Sequence, residues 1–172
     1  RQPVRFLRGT AARDRSSAQF EVSIDLDEWH FDPDTTWNFD ATLVRTDTDG
    51  LQAVLGWSYP AHGLLSGSFH GGGTRAHPQM GGLFDVIEPQ AWGWQFDRAR
   101  GEIALRQGEV RISNAELRLL PPAPSDTQAP VTPGVLTGNF LYRTDDAQVS
   151  FDLTGAVVPL AGIQRIQAPS LP

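Results

Sequence analysis

Few side chains of this sequence have the type and spacing that catalysis or metal binding requires. Two histidines, His70 and His77, are close in sequence, but the intervening GGGTRA supplies no third metal ligand. The acidic stretch TDTDG at 46–50 lacks the glycine and glutamate spacing of a calcium loop, so it predicts a tight Asp-Gly turn. The chain contains no cysteine, which excludes thiolate chemistry. We therefore expect neither a metal nor a cofactor.

Patterns that resemble nucleophile and phosphate sites also fail in detail. The stretch HGGGTRAHP at 70–78 has no following lysine, so it predicts a glycine-rich connector and not a phosphate-binding loop. Residues 63–67 read G-x-x-S-G, whereas a nucleophile elbow reads G-x-S-x-G. Asp25 and Asp27 fall on the solvent side of an alternating strand, where carboxylates favour solubility. The sequence predicts that this protein is not an enzyme.

Charge and hydropathy exclude further classes of partner. The formal net charge is −6, and all fourteen basic residues are scattered arginines. Nucleic acid requires a clustered basic surface, so we expect no nucleic-acid partner. No apolar run reaches the roughly 18 residues of a transmembrane helix. Because the chain begins at Arg1 without a methionine, we interpret residues 1–172 as a single β-rich fragment of a larger protein.

Apolar and polar residues alternate along most of the chain, which is the pattern of β-strands with one apolar face. FEVSIDLD at 20–27, WNFDATL at 37–43 and LQAVLGWSY at 51–59 are three such runs. RQGE at 106–109 and TDDA at 144–147 predict turns between later strands. The sequence therefore predicts an all-β fold built mainly from antiparallel strands.

Two segments depart from this alternation. Leu160, Ile163 and Ile166 recur at helical spacing, which predicts at most one short helix near 157–167. The stretch 121–133 contains five prolines and predicts a long exposed loop.

One short phrase occurs twice: GLLSGSF at 63–69 and GVLTGNF at 134–140. The central glycines, Gly67 and Gly138, have the same parity as the apolar residues around them. A glycine there leaves a notch in the apolar face, or lets another backbone approach closely. The repetition indicates a repeated β unit that builds a long sheet by stacking.

The segment 64–119 resembles the repeats of the TamB proteins, members of the wider AsmA-like group. Those repeats read G-x-L-x-G, G-x-G-T, x-P-x-x-G, F-D-x-x-x-G-x-I-x-L and x-I-x-N-A-x-L in order. The residues that carry the likeness are Gly63, Leu65, Gly67, Gly71, Gly73, Thr74, Pro78, Met80, Gly82, Phe84, Phe96, Asp97, Gly101, Ile103, Leu105, Ile112, Asn114, Ala115 and Leu117. A further repeat begins at GVLTGNF and continues through 149–166, whereas 1–59 fits only by its alternation and 121–133 is not part of the usual repeat.

The resemblance implies a fold, a location and a function. TamB-like proteins are anchored in the inner membrane of diderm bacteria and cross the periplasm. They fold as a curved β-sheet, a repetitive open groove (β-taco) with an apolar interior. They are implicated in phospholipid transport between the inner and outer membranes and in outer-membrane biogenesis. The resemblance thus implies phospholipid as a partner, together with an outer-membrane barrel-assembly protein.

For such a groove we predict a lining of apolar side chains, with Gly67 and Gly138 leaving room for an acyl chain. The lining residues are Phe69, Phe84, Val86, Ile103, Leu105, Val110, Ile112, Leu117, Leu119, Phe140, Val149, Phe151 and Leu153. Two alternatives stay open. One is a scaffold that assists outer-membrane protein assembly and secretion by β-strand pairing. The other is a carbohydrate-binding β-sandwich that uses Trp92 and Trp94.

Overall fold

The computed structural model describes residues 2–13, 15–26, 30, 32–56, 58–91, 94–120 and 134–157. These residues form nine β-strands and one α-helix. In chain order the elements are β1 (Gln2–Arg13), β2 (Ser16–Leu26), β3 (Thr36–Asp47), α1 (Thr48–Leu55), β4 (Ala61–Thr74), β5 (Pro78–Ala91), β6 (Trp94–Arg106), β7 (Glu109–Leu119), β8 (Val135–Arg143) and β9 (Gln148–Ala156). The helix is too short to cross a membrane, and no other helix occurs in the described ranges.

All nine strands belong to one antiparallel sheet whose spatial order is the sequence order, β1 to β9. Each strand therefore pairs only with its neighbours along the chain. This meander confirms the predicted all-β, open and curved sheet, while its one described helix, α1, is not the helix predicted near 157–167. The described strands provide no second sheet, so the two-sheet sandwich assumed by the carbohydrate-binding alternative is wrong.

β-bulges contribute to the curvature of the sheet. The ladder between β3 and β4 shifts register between Leu43 and Thr46, and the ladder between β7 and β8 shifts between Ile112 and Ala115. Within these gaps Arg45 and Asn114 adopt left-handed φ angles of 47° and 52°. An extra residue in one strand increases the local twist and bends the strand. A row of strands bent in this way curves into an open groove.

The predicted turns at 106–109 and 144–147 are confirmed. Gln107 and Gly108 have φ angles of 50° and 77°, as a two-residue hairpin loop with both central residues at positive φ requires. Residues 144–147 form the turn between β8 and β9. The Thr144 hydroxyl donates to the Gly108 carbonyl at 2.9 Å, which ties the two neighbouring turns together.

The strand predicted at 51–59 is wrong, because 48–55 forms helix α1. The Asp47 side chain accepts a hydrogen bond from the Gly50 N–H at 3.2 Å and so caps the first turn. Gly56 closes the helix with a φ of 69°. The Asp-Gly turn predicted at 46–50 is therefore also wrong: these residues end β3 and begin the helix. In the short run LQAVL the apolar residues fit both the two-residue period of a strand and the 3.6-residue period of a helix. The capping residues, Asp47 and Gly56, favour the helix.

The glycine-rich stretch predicted as a connector is also part of a strand. β4 continues through the three glycines to Thr74. The ring of Phe39 lies where a Cβ on Gly71 would stand, and the Asn38 side chain occupies that place at Gly72. The neighbouring strand thus fills the space that the missing side chains leave. The proline-rich stretch 121–133 and the predicted helix beyond residue 157 lie outside the described residues.

Burial in this sheet is shallow. Among the described side chains, Leu43 is the apolar one classed as buried, at 9% exposure. Most apolar side chains of the interior strands are half-buried, because only their lateral neighbours cover them. The sheet has one apolar layer that no second layer of described residues covers.

Candidate functional site

Register partners connect apolar side chains into rows that cross the sheet. Directly paired residues of an antiparallel sheet point to the same face, so a chain of partners marks one continuous row. The row through the middle of the sheet, called here the central row, consists of Gly9, Phe20, Ala41, Phe69, Gly82, Ile103, Ile112, Phe140 and Phe151. It contains no polar side chain from β1 to β9.

Further rows run beside the central row on the same face. One consists of Leu7, Val22, Phe39, Gly71, Met80, Leu105, Val110, Tyr142 and Val149. On the other side lie Leu43, Gly67, Phe84 and Gly101, followed beyond the β7 bulge by Ala115, Gly138 and Leu153. A fourth row consists of Thr46, Leu65, Val86, Ala99, Leu117, Leu136 and Gly155. Together the four rows define the apolar face.

The structure places the predicted lining residues together. All of them except Leu119 lie in these four rows, and Leu119 pairs with Phe96 beyond the fourth. The sequence prediction missed the large apolar residues that β1, β2 and β3 contribute and further ones in β4, β5 and β8: Leu7, Phe20, Val22, Phe39, Leu43, Leu65, Met80, Leu136 and Tyr142. Their alternation was visible in the sequence. Their membership of the same face depends on strand register, which the sequence did not give.

Exposure along the apolar face is highest near its two edge strands, where Leu7 of β1 is 66% exposed. Predicted lining residues of β4 to β8 are half-buried. In β9 the exposed fraction reaches 45% for Val149, 68% for Phe151 and 49% for Leu153. Among the described strands, β1 and β9 each have a neighbour on one side only. The apolar face is therefore more accessible at these two edges than in the middle of the sheet.

Phenylalanine rings lean onto glycines in the part of the apolar face formed by β1 to β6. At each of these glycines a ring atom lies within about 3.2 Å of the place that a Cβ would take. The register-paired examples are Phe20 on Gly9, Phe39 on Gly71, Phe69 on Gly82 and Phe84 on Gly101. An aromatic ring that covers a cross-strand glycine compensates for the packing that glycine lacks.

The same geometry corrects the role predicted for Gly67 and Gly138. A Cβ on Gly67 would lie 2.3 Å from the backbone carbonyl oxygen of Leu83 and 2.9 Å from the Phe69 ring, so backbone and ring, and not a guest, occupy that notch. Gly138 has a φ of 155°, and the β9 backbone lies close, with the Cα of Leu153 2.9 Å from a Cβ position. Both glycines lie on the predicted face, but neither leaves an open space there.

The opposite face is polar and carries ion pairs. Glu116 accepts from Arg100 at 2.5 Å and from Arg118 at 2.9 Å, and these hydrogen bonds hold the pKa of its carboxyl below the ordinary value. Arg98 donates through Nε to Asp85 at 2.8 Å and forms a second hydrogen bond through its Nη2, which lowers the pKa of that carboxyl. The carboxylates therefore stay ionised, and this face favours water over an apolar guest.

Shallow depressions also open on the polar face. One of about 460 Å³ is lined by side chains that include Arg8, Glu21, Asp40 and His70. Two smaller depressions, of about 320 and 370 Å³, lie beside Ser113. The described residues contain no group of three or more side chains suited to hold a metal ion. His70 lies on this face, and His77 lies in the turn after β4, where its N–H donates to Thr74 Oγ1 at 3.1 Å.

The tryptophans give no described sugar platform. The Trp37 ring stacks on Phe39 with centroids 5.7 Å apart and ring planes 7° from parallel. Trp37 is half-buried. Trp92 lies outside the described residues, as does the side chain of Trp94.

Comparison with known protein families, with curated proteins and with solved structures finds no match to this chain. The likeness to the TamB repeats therefore stays a prediction made from the residues.

Proposed function

We propose that this chain binds phospholipid acyl chains along its apolar face, as the periplasmic segment of a TamB-like protein anchored in the inner membrane. In this role it helps lipid transport between the inner and outer membranes and outer-membrane biogenesis. The observation that supports the proposal is the central row, which crosses all nine strands without a polar side chain.

The dimensions of the apolar face suit extended chains. Neighbouring strands lie about 4.8 Å apart, so nine strands span roughly 38 Å across the sheet. One leaflet of a bilayer is about 15 Å of hydrocarbon, half of the core thickness of about 30 Å. An acyl chain lying across the strands therefore covers about three strand spacings. The groove has room for more than one chain along its length.

The chemistry of the rows suits varied lipids. Burial of each CH₂ group stabilises a bound chain by about 0.8 kcal/mol, without any directional hydrogen bond. Side chains of similar character follow one another along each row, so a chain can shift by one strand and make equivalent contacts. The headgroup stays in water along the open side of the groove. Such a surface allows movement along its length as well as binding.

Lipid extraction from the purified protein tests this function. The wild-type protein is purified in a detergent free of phospholipid and passed through gel filtration. We expect mass spectrometry to detect phospholipid that has stayed bound to it. Phe151→Asp places a carboxylate on the most accessible part of the apolar face, and we expect it to reduce the lipid content about tenfold. Ser150→Asp is the matched control, because Ser150 is also exposed in β9 but points to the polar face.

Lipid-free wild-type protein would contradict the proposal. Equal lipid loss in both variants would also contradict it, because a charge on the polar face should not disturb the guest. Circular dichroism of both variants checks that the β content is unchanged.

A second candidate function has one observation in its favour. Every side chain of β9 is exposed, and of the described strands only β8 pairs with it. A strand edge of this kind can accept a strand from a partner, as a scaffold for outer-membrane protein assembly requires. Protein that carries no lipid but crosslinks to unfolded barrel strands through β9 would favour this candidate.

A further inference from the structure

The two edge strands of the described sheet differ in how they discourage a further strand. β1 contains Pro3, and its ladder with β2 shifts register between Val4 and Leu7. Proline and a bulge are two of the devices by which edge strands avoid pairing with another chain. β9 has neither, and all nine of its residues pair with β8 without a shift. Of these two edges, β9 is therefore the one that suits a further strand.

The apolar face also reaches the β9 edge without a polar boundary. Val149, Phe151 and Leu153 end three of the four apolar rows, and all three side chains are exposed. The charged residue of β9, Asp152, points to the polar face, and the strand contains no lysine or arginine. A strand that continues the sheet here must therefore offer three apolar side chains at alternate positions, so that each row is extended.

β9 itself has this pattern, and the pattern is nearly the same in both directions from Phe151. On the apolar face, Val149 and Leu153 flank Phe151. On the polar face, Ser150 and Asp152 flank it. A second copy of β9, antiparallel and related by a two-fold axis normal to the sheet, keeps both apolar faces on the same side. Centred on Phe151, this pairing places each Val149 opposite Leu153 of the other copy. Each Asp152 then lies opposite Ser150 of the other copy, whose hydroxyl can donate to the carboxylate.

Charge and pairing favour this register over its neighbours. An axis at Asp152 would set two carboxylates directly opposite each other, which destabilises a pair of strands. An axis at Ser150 would place Leu153 opposite Ala147, which lies in the turn before β9 and has a φ of 52°. An axis at Phe151 avoids both faults.

We infer that two copies of this chain join through β9 into one continuous sheet, with Phe151 at the two-fold axis. The central row then passes from Phe140 and Phe151 of one copy into the same residues of the other. Because both apolar faces lie on the same side, the two grooves become one longer groove. A pair of strand edges buries less surface than a standard interface, so we expect a dissociation constant of about 10 μM. The inference goes beyond lipid binding and does not depend on it.

Cysteine crosslinking of the lipid-free chain locates the axis. The sequence contains no cysteine, so a single introduced cysteine can form a disulfide only with the same position of another copy. Under oxidation by copper phenanthroline we expect Phe151→Cys to give a linked dimer, because Cα atoms directly opposite lie about 4.5–5.5 Å apart. Val149→Cys is the matched control on the same face. Its own copy lies four residues along the paired strand, so we expect crosslinking about tenfold slower.

Sedimentation velocity tests the register without any change on the apolar face. Ser150→Arg places a cation opposite Asp152 of the other copy, and we expect the dissociation constant to fall about fivefold. Ser150→Asp places a second carboxylate there, and we expect about a fivefold rise. Thr154 lies opposite Gln148 in this register. Thr154→Arg and Thr154→Asp are therefore the controls, and each should change the constant by less than about twofold.

Three results would overturn the inference. One is a monomer at every concentration up to about 500 μM, far above the expected dissociation constant. Another is crosslinking that is fastest at a position of β9 other than 151. The third is protection of the β9 amides from hydrogen exchange that does not depend on concentration, which would show that another segment of the same chain covers this edge. A protein that dimerises as expected but takes up no phospholipid would contradict the proposed function alone.

Discussion

In β4 the heptapeptide at 63–69 places Gly67 against the Leu83 carbonyl of β5 and beside the ring of Phe69, whereas the similar heptapeptide at 134–140 places Gly138 against the backbone of β9 alone. Gly138 has a φ of 155°, but Gly67 has an ordinary negative φ. The register partner of Gly67 in β5 is Phe84, and the partner of Gly138 in β9 is Leu153. Both central glycines therefore let the backbone of the next strand approach closely, but Gly67 also makes room for a ring, whereas Gly138 also has a φ that favours glycine.

The two heptapeptides also stabilise a bulge in the preceding strand in different ways. The Ser66 hydroxyl accepts the backbone N–H of Arg45, the left-handed residue of β3, at 2.9 Å. In the second copy, Asn139 accepts the N–H of Asn114, the left-handed residue of β7, at 3.3 Å. Both acceptors lie on the polar face. The comparison teaches that a repeated phrase conserves a strand and its faces, while the details adapt to local register.

The largest expected effect is a difference in stability between alanine variants of Gly138 and Gly67. Gly138→Ala forces a side chain into a positive φ and against the β9 backbone, and we expect a loss of more than about 2 kcal/mol in the free energy of unfolding. Gly67→Ala meets the Phe69 ring as well as the Leu83 carbonyl, so moving the ring relieves part of the clash. We expect Gly67→Ala to cost less. Urea denaturation followed by circular dichroism measures both values.

A double-mutant cycle sharpens this contrast. Phe69→Leu should partly rescue Gly67→Ala, with a coupling free energy of at least about 0.5 kcal/mol. Phe140→Leu, the equivalent change in β8, should not rescue Gly138→Ala, because backbone atoms cause that clash. Equal coupling in both cycles would show that the two glycines have the same role.

A smaller effect concerns the bulges. Ser66→Ala leaves the Arg45 N–H without its protein partner, and we expect a cost of about 1 kcal/mol in the free energy of unfolding, less where water replaces the hydroxyl. Asn139→Ala removes the longer hydrogen bond in the second copy and should cost less than Ser66→Ala. Ser68→Ala, on the same face of β4, is the control and should change the free energy by no more than a few tenths of a kcal/mol. If Ser68→Ala is as unstable as Ser66→Ala, the hydrogen bond to the bulge has no special role in stability.

The sequence predicted the class of fold well because alternation reports directly which side chains share a face. The apolar parity of Phe69, Ile112 and Phe151 was visible before any coordinates, and the structure places all three in the central row. The turn at 106–109 was equally legible, since a glycine in a two-residue hairpin loop has a specific conformational role.

Other features depend on information that a single sequence does not display. Helix α1 was missed because a short apolar run satisfies both periods, and only Asp47 and Gly56 mark its ends. The bulge at Asn114 is marked by a change of apolar parity between Ile112 and Leu117, whereas β3 ends at Asp47, too soon after Arg45 for such a change to show. The ring-on-glycine pairs were also missed, because Phe69 and Gly82 are thirteen residues apart and meet only through register.

The most direct test of the central claim compares two adjacent residues of β8 on opposite faces. Phe140 lies in the central row, and Leu141 is an apolar, half-buried side chain that points to the polar face. A benzoylphenylalanine photo-crosslinker at each position, irradiated in envelope membranes and analysed by mass spectrometry, reports which face contacts lipid. We expect phospholipid adducts at position 140 and few at position 141. Equal labelling at both positions, or labelling at 141 alone, would contradict lipid binding along the apolar rows.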